Sequence, residues 1–137
     1  EAGTRPLRWS SELARHAQAR AETIAKTGQM THLPAAQNRY GENLAQGGRG
    51  GSDSGFTVRH ACESWYAEKA KMPADVRVLS SALFQRGVGH YTQMIWHEST
   101  HIGAGKAHFH KNGMAMTVVV CCYDPRGNLI GGSIYED

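Results

Sequence analysis

The chain has 137 residues, 40% of them hydrophobic and 20% charged, which fits one folded domain and excludes a disordered or fibrous chain. No apolar run approaches the roughly 20 residues that a bilayer-crossing helix needs, so a soluble protein is expected. Fifteen Lys and Arg against twelve Asp and Glu give +3. These charges are scattered rather than striped, so a nucleic-acid partner is not expected, and anionic membrane surfaces would attract the chain only weakly.

Ser10 and Ser11 can cap a helix over 11–27, in which Leu13, Ala14, Ala17, Ala21, Ile24 and Ala25 recur at helical spacing, and Gly28 is placed to end it. From Gln29 to Gly55, Pro34, Asn38, Gly41, Asn43 and the run "QGGRGGSDSG" predict loops. A phosphate-cradling reading is weak there, because the lysine and the preceding strand that a P-loop needs are both missing. Thr57 can cap a second helix running to about Lys71, with Val58, Ala61, Cys62, Trp65 and Tyr66 on one face, before Met72 and Pro73 stop it.

A third short helix fits "GHYTQMIWHE", residues 89–98. "HIGAGKAHFH" then alternates like a strand but changes phase between Ile102 and Ala107, which predicts a bulge near Gly105. "KNG" makes a hairpin turn into "MAMTVVVCCY", an apolar run that must be covered on both faces. After the turn "DPRGN", "LIGGSIY" reads as a final strand. The expected fold is α+β, a three-layer α/β/α sandwich around a mainly antiparallel sheet, forming a single domain over 1–137.

His97 to His101 fits H-E-x-x-H, the pattern by which zinc proteases present two ligands and a glutamate. The longer metzincin pattern fails, because Ala104 and Ala107 stand where a glycine and a third histidine belong. Two histidines four apart meet on one metal only on a helix. Ser99, Thr100, Gly103 and Gly105 argue that the helix has ended near Glu98. His97 and His101 are therefore expected on different elements, and the pattern is read as accidental. There is no G-x-S-x-G, and Cys121 and Cys122 fall in the middle of a strand, away from an activating helix N-terminus.

Extended to the left, the same segment reads "GHYTQMIWHESTHIGAGKA" and closely resembles the signature of the CAP superfamily of cysteine-rich secretory proteins, antigen 5 and plant pathogenesis-related proteins. "GTRPLRWSSELARHAQARA", "GENLAQG", "WYAE" and "CCYDPRGN" extend the resemblance over nearly the whole chain. The resemblance implies an α/β/α sandwich with a cleft of two histidines and two acidic residues. By motif these are His32 in "MTHLP", Glu42 in "GENL", Glu68 in "WYAE" and His90 in "GHYTQ". Spacing alone singles out none of them. Two imidazoles with two carboxylates suit a divalent cation, zinc being the favoured ion. The other reading of the four is structural, holding the segment 29–46 against the helices.

Relative to the family pattern, the usual first helix with H-N-x-x-R is absent, Val88 stands where many members have cysteine, and Cys62 and Cys122 occupy unusual positions. The three cysteines allow one bridge and a leftover thiol, or three reduced thiols. If a bridge forms, Cys62 with Cys122 is the expected pair, joining a sheet-facing helix to the central strand. "KMPADVRVLSSALFQRGV" carries only Phe84 where some sterol-binding relatives have an aromatic-rich loop. The resemblance therefore implies a secreted, non-enzymatic protein that binds a divalent metal and a lipid, a sterol or fatty acid, with anionic membrane as the fallback partner. A metal-dependent hydrolase or protease, and a protein-binding module in host or cell-wall interaction, are the alternatives.

Overall fold

The computed structural model describes residues 5–34 and 37–136; Gly3 and Thr4, which open the first of the quoted motifs, lie outside them. The architecture is α+β and is organised around β4 (Met114–Asp124), whose segment Ala115–Tyr123 is almost wholly buried. Valines are stiff at χ1 and fit a pleated, enclosed surface, so Val118, Val119 and Val120 favour a strand with no solvent face. β4 pairs antiparallel on one side with β3 (His101–Lys111) and on the other with β2 (Gly41–Gly50). The two-residue β1 (Arg8–Trp9) adds in parallel to β3, giving the order β1-β3-β4-β2 and a mixed sheet.

One layer is α1 (Ser11–Thr27), capped by Ser10 and closed by Gly28 in the left-handed conformation at φ 72°. Its Leu13, Ala17, Ala21 and Ile24 pack on Leu44, Val118, Val120 and Cys122. The opposite layer begins with α2 (Val58–Tyr66), which is capped by Thr57 and places Ala61 and Trp65 on Val119, Cys121 and Tyr123. α2 tightens into a 3-10 turn, Ala67–Lys71. After it come α3 (Ser81–Leu83), a wide π turn over Phe84–Val88 kinked at Gly87 with φ 85°, and α4 (Gly89–Ile95).

Several sequence expectations are corrected. The glycine-rich stretch read as loop contains the ten-residue β2, paired along its whole length with β4. Its glycines are needed for packing: a Cβ on Gly47 would strike the Phe56 ring, and one on Gly48 would strike Met116 and the Ala115 carbonyl. β3 has no bulge, since its pairing with β4 runs unbroken from His101↔Asp124 to Lys111↔Met114. Gly103 and Gly105 are there because the α1 backbone comes so close that side chains are excluded.

"LIGGSIY" adds no strand to the sheet. It forms a separate turn on Arg77–Leu79, with Leu79 N donating to Gly132 O at 2.9 Å and Ile134 N to Arg77 O at 2.8 Å, and a positive φ at Gly131 bends it away from extended geometry.

Because α1 sits on backbone at Gly105, Gly105→Ala is expected to lower the unfolding free energy in urea by roughly 1–3 kcal/mol, the cost of overpacking. Gly50→Ala, whose Cβ would enter open space, is expected to stay within about 0.5 kcal/mol of the parent.

Candidate functional site

Arg20 is a charged residue in the apolar stripe of α1, and the structure shows its use. Its guanidinium donates to Glu42, with Nε at 2.8 Å from Oε2 and Nη2 at 3.3 Å from Oε1, and Nη2 donates to the Thr31 carbonyl at 2.7 Å. Glu42, near the start of β2, also accepts from His32 Nδ1 at 2.9 Å. The Glu42 side chain is 1% exposed and that of Arg20 10%, whereas His32 is 57% exposed. Burial alone would push the Glu42 carboxyl up. Hydrogen bonds from His32 and Arg20, together with their charges, outweigh that and hold it below the ordinary glutamate range.

A second imidazole–carboxylate pair is built by the other layer. The 3-10 turn after α2 carries Glu68, which accepts from His90 Nδ1 at 2.7 Å and from the Tyr91 backbone N–H at 3.0 Å. That backbone donor lies in the first turn of α4 and has no partner within the helix, so one carboxylate both orients the ring and satisfies the helix start. The His90 ring stacks on Trp65 at 6.0 Å between centroids, and Trp65 Nε1 donates to the Leu44 carbonyl at 3.2 Å. Buried Asn43 donates to the His90 carbonyl at 3.1 Å and to the Tyr123 hydroxyl at 3.2 Å. Asn128, left-handed at φ 56°, accepts from Thr92 at 2.6 Å and donates to the Gly89 carbonyl at 2.7 Å.

Both pairs open into one cavity of about 480 Å³, which Asn43, Lys71, Phe84 and Asn128 also line. It lies along the β2 edge, where residues from both layers reach the same space. In each pair the carboxylate takes Nδ1–H, which leaves the Nε2 lone pair as the ligating position, the arrangement usual around metal-binding histidines. Among the described residues no group of three or more His, Cys, Asp and Glu converges to hold a metal ion. Of the residues lining the cavity, His32 and His90 are the ones able to offer a ring nitrogen to a metal ion.

The motif-matched residues His32, Glu42, Glu68 and His90 are thus brought to one cavity, while Arg20, Asn43 and Asn128 were missed. Only Arg20 carried a sequence signal, as a charge at a core-facing helical position.

The other candidates fall apart. α4 ends at Ile95, three residues earlier than expected, so His97 sits in a turn with its N–H on the Ile134 carbonyl at 3.0 Å, and His101 opens β3. H-E-x-x-H is not a helical chelate here. The expected pairing of Cys62 with Cys122 is also corrected. Side chains alternate along β4, and Cys122 faces α1 in the cluster with Leu13 and Val120, whereas Cys121 faces α2 and Cys62. All three are free thiols.

Arg20→Ala is expected to destabilise the fold by about 3 kcal/mol, since it strips a buried carboxylate of its main partner. Because the folded Glu42 binds its proton less readily than the unfolded chain, its contribution is complete above the ordinary glutamate range and is lost as pH falls through the lower folded value. Acid titration of stability should therefore be shallower in Glu42→Gln than in the parent.

The family described as "CAP: Cysteine-rich secretory protein family" matches residues 1–123. Pathogenesis-related protein 1B of Nicotiana tabacum is 34% identical over 135 residues, covering 98% of this chain and 73% of its own. Venom allergen 5 of Microctonus hyperodae is 33% identical over 132 residues, or 95% of this chain and 56% of that one. Among solved structures, that of NaASP2 with Zn2+ superposes with a TM-score of 0.71 at 32% identity, covering 98% of this chain and 68% of the other. The hookworm platelet inhibitor shares the fold with a TM-score of 0.67 at 21% identity, covering 98% of this chain and 62% of its own. The motifs read along the sequence, the layered sheet and these matches agree: this chain belongs to the CAP, or cysteine-rich secretory protein, family.

Proposed function

We propose that the chain is a secreted, non-enzymatic CAP protein that holds one divalent cation, zinc, through Nε2 of His32 and His90, and that the same cleft receives a lipid, a fatty acid or sterol, by its polar end. The observation that carries the reading is the pair of Nδ1–carboxylate hydrogen bonds, 2.9 Å at His32 and 2.7 Å at His90, around one shared cavity. Glu42 and Glu68 fix the ring tautomers and raise ligand basicity rather than ligating. A bound zinc ion would supply a positively charged acceptor for a carboxylate or hydroxyl oxygen. That the NaASP2 structure was described with Zn2+ supports the choice of metal.

The lipid part of the proposal is supported by the cavity wall. Phe84, an exposed large apolar residue, lines the cavity together with Lys71, a cation for an anionic head. With a single aromatic there, the apolar tail would extend outside the cleft, which suits a fatty acid better than a whole sterol. Secretion is supported by kinship with the family described as secretory, and no helix of the described residues is long and apolar enough to cross a membrane.

Calorimetry is expected to show zinc binding in the parent, its loss in His32→Ala/His90→Ala, and a roughly 10- to 100-fold weaker affinity in Glu68→Gln. Retained affinity in the double variant would move the metal elsewhere, with His97, His101 and His108 the first places to look. Extraction and mass spectrometry of protein from its native source should recover a fatty acid or sterol; lipid-free protein that also fails to take up either from vesicles would sink the lipid part alone.

A further inference from the structure

Cys62 and Cys121 form a thiol pair that the cleft does not use. Cys121 is buried in the cluster of Ala61, Trp65, Val119 and Tyr123, and Cys62 packs at the margin of that cluster, partly open to solvent. The helix and the strand thus present one accessible and one enclosed sulfur to each other across a single layer boundary. The hydrogen bond from Cys121 draws the Cys62 thiol down to about 7, against burial and the nearby Glu63 charge. The same bond and burial push Cys121 far up. Being partly open to solvent, Cys62 is the sulfur that a small disulfide can reach, and the enclosed Cys121 packed behind it is the one placed to finish the reaction.

We propose that Cys62 and Cys121 are a thiol–disulfide exchange site that closes to an intramolecular disulfide, taking a low-molecular-weight disulfide such as oxidised glutathione as the oxidant. The Cys62 thiolate attacks one sulfur of the small disulfide, that S–S bond breaks, and the first small thiolate leaves and is protonated. Cys121 then gives its proton to solvent and attacks Cys62 Sγ in the mixed disulfide, expelling the second small thiolate. The protein loses two electrons and two protons, and the small disulfide is reduced to two thiols.

Cys122 is excluded from the exchange. It lies on the other face of β4, and burial lifts its thiol to about 12. The bridge would also tie together the two halves of the cleft. α2 runs directly into the turn that carries Glu68, and β4 is hydrogen-bonded along β2, which carries Glu42.

The test is to incubate the reduced full chain with oxidised glutathione and map its peptides without reduction. The expected product is lighter by two hydrogens, carries a Cys62–Cys121 crosslink, and leaves Cys122 to be alkylated only after unfolding. Closing a loop of roughly 60 residues should raise the melting midpoint by roughly 10 °C, reversibly with dithiothreitol. Cys122→Ala should keep that rise and Cys62→Ser should abolish it. Cys121→Ala should stop at the mixed disulfide, with glutathione retained on Cys62. A crosslink to Cys122, a persistent glutathione adduct on Cys62 of the parent chain, or three unreacted thiols would each overturn the proposal. Cys62 is partly exposed, so Cys62→Ser is expected to fold, and circular dichroism confirms that before it is used.

Discussion

Everything in this fold depends on the two-sided burial of β4. Val118, Val119 and Val120 are fully enclosed, and neighbouring positions point alternately into the α1 layer and the α2 layer. Each such side chain stabilises by roughly 1.5–3 kcal/mol only if its own face is covered, so neither helical layer is dispensable. The strand also holds the site together. Through its ladder with β2 it sets Glu42 toward α1 and Asn43 toward α4, so one edge strand supplies an anchor to each half of the cleft.

The two halves are built on different physical terms. His32 comes from a segment tied down by the Arg20 bond to the Thr31 carbonyl, and its carboxylate is almost completely desolvated. His90 comes from the start of a short helix whose ring is clamped between Glu68 and Trp65. A desolvated carboxylate is held ionised only by its partners, so Arg20 is as necessary to the first half as Trp65 stacking is to the second.

The parts legible in the sequence were those with a period. α1 and α2 were marked by helical spacing and by Ser10 and Thr57 at their starts, and β4 by an apolar run too continuous for a strand with a wet face. β2 was not legible, because glycines read as turn residues when the ring of Phe56 and the side chain of Met116 that fill their space are invisible. The supposed bulge at Gly105 had the same cause, a helix backbone lying against the strand. The cleft residues came from family motifs rather than from spacing. Glu42 and Glu68 are 26 positions apart and acquire a common purpose only when the sheet brings β2 beside the turn after α2. Asn43 and Asn128 act on backbone carbonyls, a role that leaves no pattern in one sequence.

The doubled cysteine of β4 marks the alignment of the whole sheet. Adjacent strand residues face opposite ways, so a slip of β4 by one position would turn Cys122 toward α2, and would bring Thr117 into the apolar layer under α1 in place of Val118. The same slip would set Cys121 against Leu13 and Ala17 and part it from Cys62. Which of the two neighbouring sulfurs stands opposite the helix is thus a chemical readout of strand alignment, built into the chain at its most crowded point.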